Sequence, residues 1–293
     1  MRQLLLALTL CLASPICHAW NAAGHRLVAA IAWDQLSLAN RQRVSTILAS
    51  HPDYERWAKI PGSSEHPDIF AEAATWPDAI RSDPRFNDES GKGSAIPGLP
   101  DNGRHKNWHF VDINADGEVV DGLLDRQIEE LSEVLRSEVD MSQISYALPW
   151  LLHLVADIHQ PLHVGRHGDE GGNRVDVENP YNRRWLFSSL HTYWDDLPGP
   201  PWLRGKRLEQ KKRELSERYR APEQANVRRW RDESHRLLIH AYPDSEGNLP
   251  AFISEEFHRR ASEIAGQRII DAGYRLGRLL EEILNAGVSR ETR

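Results

Sequence analysis

The sequence predicts a mainly α, single-domain fold with a small β-hairpin. Apolar residues recur at helical spacing through most of the chain. No internal repeat and no Pro/Ser-rich linker divides it. Hairpin chemistry is confined to residues 174–187, around Asn179-Pro180-Tyr181-Asn182.

The first 19 residues are set apart. Arg2 gives a charged start, Leu4 to Leu12 an apolar middle, and Cys17-His18-Ala19 a cleavage site. The apolar run is too short to cross a bilayer. The reading is a signal peptide over 1–19, cut before Trp20, and a secreted or periplasmic protein over 20–293. Both cysteines, Cys11 and Cys17, lie in the leader. The mature chain then has no disulfide, no thiolate metal site and no thiol nucleophile. At 274 residues (293 less 19) it is long enough to bury a substantial core without them.

Helices follow in order. Residues 22–36 carry Ala22, Leu27, Ala30, Ile31 and Leu36 on a helical period, and Ser37 reads as the N-cap of a second helix from Asn40 to Leu48. A third spans 68–81, entered through His66-Pro67-Asp68. Residues 87–107 are rich in Gly, Pro, Ser, Asp and Asn and read as a surface loop. Residues 108–113 are extended, and 123–138 form an amphipathic helix with Leu124, Ile128, Leu131 and Leu135. The most apolar helix is 142–160. A Gly-rich loop (165–174) and the hairpin come next, then helices at 188–196, 206–219, 223–241 and 251–286. The charged run 204–218 has the mixed signs of a solvated helix face.

Without the leader the net charge is −8, from 35 Lys+Arg (36 less Arg2) against 43 Asp+Glu. That argues against a protein that coats nucleic acid with a basic surface, unless bound cations reverse the local sign. Fourteen His and ten Trp are many for this length, so the histidines are read one by one.

In HLVADIHQPLH (153–163), His153 and Asp157 are four apart, on one helix face and able to share a metal. His163 would lie about 80° off that face on a straight helix. Pro161 kinks or ends the helix and redirects it. His191 and Asp195 repeat the i, i+4 device. Such a pair is also an ordinary surface contact, and neither decides alone. Asp78 after Trp76-Pro77, His109 between Trp108 and Phe110, His25 and the amine of a freed Trp20 add nitrogen and oxygen ligands. A sulfur-free set of this kind suits zinc at open sites. His159 is about 240° of rotation from His153 and reads as structural.

The ordered motifs resemble the S1/P1 nucleases. They are W-N-x3-H from Trp20, W-P-D-x2-R (76–81), W-H-F-V-D (108–112), H-L-x2-D-x2-Q-P-L-H (153–163), G-G-N (171–173) and the His191…Asp195 pair. The resemblance implies a helical phospholipase C/P1 nuclease-like fold and three Zn²⁺. One would be held by Asp78, His109, His153 and Asp157. A second would take His163, His191 and Asp195. The third would take His25, a bridging Asp157, and the amino nitrogen and carbonyl oxygen of Trp20. It implies hydrolysis of single-stranded DNA or RNA to 5′-phosphate products, with 3′-nucleotidase activity, by zinc-activated hydroxide attacking phosphorus. In that chemistry Asp78 and Arg81 are catalytic, Arg81 also gripping phosphate, while Phe110 stacks on a base and Asp112 bonds its edge. Phe110 is equally an ordinary core aromatic on the residues alone.

The expected partners are single-stranded nucleic acid and nucleotides, with no membrane and no protein partner. The absence of mature cysteines and of any Asn-x-Ser/Thr site departs from fungal members and points to a bacterial-type one. Two alternatives stand beside this. One is a zinc-dependent phospholipase C, which has a longer Trp-to-His spacing and a Glu as last ligand. The other is a non-enzymatic periplasmic zinc-binding protein.

Overall fold

A computed structural model describes residues 20–61, 66–88, 92–114, 116–137, 139–182, 185–244 and 250–291. The expected leader, 1–19, lies outside the described residues. The fold is mainly helical, as predicted. α1 (Ala22–Gln35) starts at Asn21, whose side chain accepts from the Ala23 N–H, and is buried on nearly every side. α2 (Leu38–Ala49) starts at Ser37, whose hydroxyl accepts from Asn40 N. A short α3 (Tyr54–Ala58), not foreseen, follows.

The single helix expected over 68–81 is instead two. α4 (His66–Ala73) and α5 (Trp76–Ala79) are separated by a turn at Ala74–Thr75, and α5 runs into a 3₁₀ turn, Ile80–Ser82. Pro77 at the start of α5 lacks the N–H that a continuous helix would use.

The extended segment is β1 (Val111–Ile113), and it pairs antiparallel with β2 (Val119–Gly122), a hairpin the sequence reading omits. α6 (Leu124–Ser137) is the expected amphipathic helix, apolar inward through Leu124, Ile128, Leu131 and Leu135. α7 (Met141–Asp157) is capped by Asp140 and buried from Ser145 to Asp157. It ends at Asp157, and Pro161 then opens a 3₁₀ turn, Pro161–Val164, capped by Gln160.

The expected hairpin forms from β3 (Asp176–Glu178) and β4 (Phe187–Ser189). α8 (Leu190–Asp196), α9 (Gly205–Arg218) and α10 (Val227–Arg236) follow, the last extended by a 3₁₀ turn, Leu237–His240. α10 starts at its cap Asn226 rather than at 223. Residues 251–252, read as helix, form β5 (Ala251–Phe252), a parallel third strand on β3. α11 (Glu255–Glu291) begins only after Ser254, whose hydroxyl accepts from Phe257 N. Apolar periodicity could not separate a two-residue strand from the helix beside it.

α11 packs along α1 at close range. A Cβ at Gly273 would lie 2.5 Å from Ile31 Cβ and 3.2 Å from the Val28 carbonyl, and one at Gly277 2.5 Å from Gln35 Cβ. Those obstacles sit next to the α1 backbone, so they cannot swing aside. α1 in turn presents His25 to α7. Gly273→Val is expected to destabilise the protein by about 2–3 kcal/mol through overpacking. Urea unfolding checks this, and an unchanged midpoint would show that the two helices can part freely.

Candidate metal centre

The site is built on α7. Its helical spacing sets His153 and Asp157 one turn apart, with His153 Nε2 3.3 Å from Asp157 Oδ2. Both are fully buried. α1 brings His25, whose ring stacks on His153 with centroids 3.8 Å apart. Its Nε2 lies 3.5 Å from Asp157 Oδ1 and 3.9 Å from Asp78 Oδ2. His109 follows the 3₁₀ turn Lys106–Trp108, and its Nδ1 is 3.1 Å from both Asp157 Oδ2 and His153 Nε2. α5 supplies Asp78, with Oδ1 3.8 Å from His153 Nε2 and 3.2 Å from Arg81 Nε.

A second cluster joins the 3₁₀ turn after α7 to α8. His163 Nε2 and His191 Nε2 are 3.1 Å apart, and His191 Nε2 is 3.7 Å from Asp195 Oδ2. Gln160 donates to the other Asp195 oxygen at 3.0 Å. Among the described residues, three metal-capable groups thus form: His25–His153–Asp157, Asp78–His109–His153 and His163–His191–Asp195. A fourth, Asp112–Asp121–His167, has one buried and two exposed members.

Backbone carbonyls fix three of the rings from behind. His153 Nδ1 donates to Ala74 O at 2.8 Å, His163 Nδ1 to His109 O at 2.5 Å, and His191 Nδ1 to Gly171 O at 2.7 Å. A carbonyl only accepts, so Nδ1 carries the proton and Nε2 of each neutral ring is a bare lone pair. His163 and His191 therefore face each other lone pair to lone pair. That contact is repulsive unless a cation sits between them. Two nitrogens bound tetrahedrally to one zinc lie about 3.3–3.4 Å apart, close to the observed separation of 3.1 Å. At the first cluster, both ring nitrogens of His25, His109 Nε2 and Asp157 Oδ1 are buried without a hydrogen-bond partner. Buried orphans of this kind suit a metal.

Burial drives the electrostatics. It holds His25, His109 and His163 well below the usual imidazole range, helped by neighbouring rings and Arg81. For His153 burial also opposes charge, but Asp157, Asp78 and the Ala74 carbonyl outweigh it and raise the pKa. Burial pushes the Asp157 carboxyl up to about 6 against the pull of His153.

The remaining predicted residues surround these clusters. Trp20 is buried, with its indole N–H on Ala156 O at 3.1 Å, beside Asp157. The N–H of Asn21 donates to Asp195 O. A Cβ on Gly24 would be 2.6 Å from Trp20 Cβ, so the glycine lets Trp20 fold back onto α1. Arg81 is largely buried and turned to Asp78. Phe110 is half-buried. Asp112 is buried, and its Oδ2 faces His167 Nδ1 at 3.2 Å. Burial raises the Asp112 carboxyl above its usual range, with His167 opposing. Beside Asp78, a cleft of about 670 Å³ opens between Asn21, Trp76 and Arg204.

His159 stands apart from the clusters. Its Nδ1 donates to Val155 O and its Nε2 accepts from Arg275. The sequence reading missed the supporting groups: the Ala74, His109 and Gly171 carbonyls, Gln160, and His167 against Asp112. Gln160 and Gly171 lie inside the quoted motifs, but no side-chain pattern announces a carbonyl.

A cation held here competes with the proton on Asp157. Zinc affinity is therefore expected to fall as pH drops through about 6, by about tenfold per pH unit for each proton displaced. Calorimetric titration in buffers of different ionisation enthalpy reads both quantities. PH-independent binding from 5 to 8 without proton release would contradict it.

The S1/P1 Nuclease family profile matches residues 20–285. Relatives from Arabidopsis thaliana include Endonuclease 1, 30% identical over 64% of this chain and 56% of its own length. Endonuclease 3 is 29% identical over 61% and 54%. Endonuclease 4 is 48% identical over a short segment, 18% of this chain and 17% of its own. The chain spans little more than half the length of the longer-matching of these relatives. Because the family profile covers nearly the whole chain and its match includes every residue of both buried clusters, the chain belongs to the S1/P1 nuclease family.

Proposed function

We propose that the protein is an exported, trinuclear-zinc phosphodiesterase. It cleaves single-stranded DNA or RNA to 5′-phosphate products and removes 3′-phosphate from nucleotides. The observation that carries this is the pair of buried clusters in which imidazole nitrogens and carboxylate oxygens from separate elements converge, several of them without a hydrogen-bond partner. Family membership and relatives named endonucleases support the nuclease part.

In this reading Asp157 serves two ions, because Oδ1 faces His25 while Oδ2 faces His109 and His153. Asp78, His109 and His153 complete one site, His25 and Trp20 another, and His163, His191 and Asp195 the third. Bound zinc supplies Lewis acidity and a lowered pKa for coordinated water. Asp78 is the most exposed of the three carboxylates and orients the attacking water from the cleft side. Arg81, anchored on Asp78, grips a non-bridging phosphate oxygen. Three Zn²⁺ against the three carboxylates leave a local surplus near +3 on a chain of negative net charge, so the anionic substrate needs no basic coat. Phe110 offers a ring on which an unpaired base can stack, and Asp112 with His167 lies next to it for the base edge. A base must be unpaired to stack on such a ring, so this reading prefers single strands.

Cleavage between Ala19 and Trp20 belongs to the same reading. Supporting it, the family match begins at residue 20, and Trp20 is buried with its neighbours bonded beside Asp157 and Asp195. The freed amine binds only when deprotonated, from a value near 8.

The test is hydrolysis of single-stranded and duplex oligonucleotides, a nucleoside 3′-monophosphate and phosphatidylcholine vesicles, with and without chelator. Single strands and the 3′-monophosphate are expected to be cleaved, and chelation to abolish both. Lipid cleavage without nucleic-acid cleavage would instead favour a phospholipase. Full zinc loading with no phosphoester hydrolysis would favour a storage protein. A retained Met before Trp20 is expected to remove one zinc and most activity, read by metal analysis. Three zincs and full activity with Met in place would refute the role of the amine.

A further inference from the structure

Behind His191 lies a loop in an unusual conformation. Glu170, Gly171 and Gly172 all have positive φ, at +54°, +60° and +82°. The glycines adopt this freely, while Glu170 does so against the clash of its Cβ with the backbone. The loop must also pass close to the turn that carries His163, since a Cβ on Gly171 would meet Leu162 O at 2.4 Å. Its left-handed path turns the Gly171 carbonyl onto His191 Nδ1 and the Gly172 carbonyl onto the His191 N–H. The orientation of the Gly171 peptide thus decides where His191 Nε2 points.

Asp169 holds that path. Its Oδ1 accepts the Gly172 N–H at 3.0 Å, and its Oδ2 accepts the Tyr242 phenol at 2.7 Å. The Arg166 guanidinium covers the Tyr242 ring, 4.8 Å from its centroid. Burial, with the Asp169 carboxylate beside it, raises the Tyr242 pKa, so the phenol remains a donor across ordinary pH. The preceding residue grips the same helix from its other ligand, because Ala241 O accepts the Trp194 indole N–H at 2.9 Å, next to Asp195. Two adjacent residues after the Leu237–His240 turn therefore brace α8 at both its cluster residues.

We propose that Asp169 and Tyr242 are positioning residues for the His163–His191–Asp195 site: their hydrogen bonds fix the Gly171 carbonyl and so aim His191. This rests on the reading of that cluster as a metal site. The experiment measures zinc content and affinity by chelator competition in the mature wild-type protein and in Asp169→Ala, Asp169→Asn and Tyr242→Phe, with melting of each metal-free protein.

In Asp169→Ala one zinc of three is expected to bind about 10–100-fold more weakly, the range for losing a group that orients a ligand. The other two should keep their affinity. Asp169→Asn keeps an acceptor for Gly172 and should recover most of the loss. Tyr242→Phe should weaken the same zinc by a smaller factor and lower kcat more than it changes KM, and it decides the matter if Asp169→Ala does not fold. Wild-type affinity for all three zincs in Asp169→Ala or Tyr242→Phe would overturn the proposal. So would equal weakening of all three with a lowered metal-free melt. A wild-type protein without zinc would overturn the metal reading itself, and this inference with it.

Discussion

Taking a carboxylate and an imidazole out of water costs several kcal/mol per ionised group unless each finds a compensating charge. α7 does this with His153 and Asp157 at full burial, then draws His25, His109 and Asp78 around them. Burial pushes the Asp157 carboxyl up to about 6 while His153, whose own pKa is raised, pulls it the other way; His25 and His109 are held well below the usual imidazole range by burial. A shared cation would compensate the buried carboxylates, and the surrounding packing and hydrogen bonds hold these side chains together.

The aromatic core does part of that holding. Trp76, next to Pro77-Asp78, packs edge-on against Phe86, Tyr146 and Trp150. Its indole donates to Asp53, itself paired with Arg85. Trp150 lies against His109, and Trp108 stacks on His105. His109 and Asp195 thus follow directly on a tryptophan, and Trp76 stands two residues before Asp78. That explains why tryptophan, costly to place, recurs beside the ligands in this chain.

A second support runs through α11. Arg268 donates to His159 O, Ser234 and Asp271, while Ser234 donates to Ile158 O. These bonds satisfy carbonyls just past the end of α7, where the chain turns from Asp157 toward His163. His159, read as structural from its helical angle, lies in this network rather than at the metal-capable clusters. α11 therefore braces the ligand helix at its C-terminal turn and packs on α1 through Gly273 and Gly277.

Local chemistry made much of this legible. The i, i+4 spacing puts His153 with Asp157 and His191 with Asp195, Ser37 caps α2, and Pro161 opens the turn that follows α7, although α7 ends at Asp157 and not at the expected 160. These features depend on residues within a few positions of one another. Spacing suggests the two His/Asp pairs, and the resemblance of the ordered motifs to the S1/P1 nucleases supplies the rest of the expected ligand set. Tertiary structure decided the rest. It broke the 68–81 helix at Ala74, turning that carbonyl onto His153, 79 residues away. It added β2 and β5, too short for a periodic signal. It set Asp112 against His167, and Tyr242 behind His191 through Asp169 and Gly171. The physical reason is the same in each case. Side-chain identity is written in sequence, whereas the direction of a carbonyl or the meeting of groups far apart in the chain is fixed only when the helices pack.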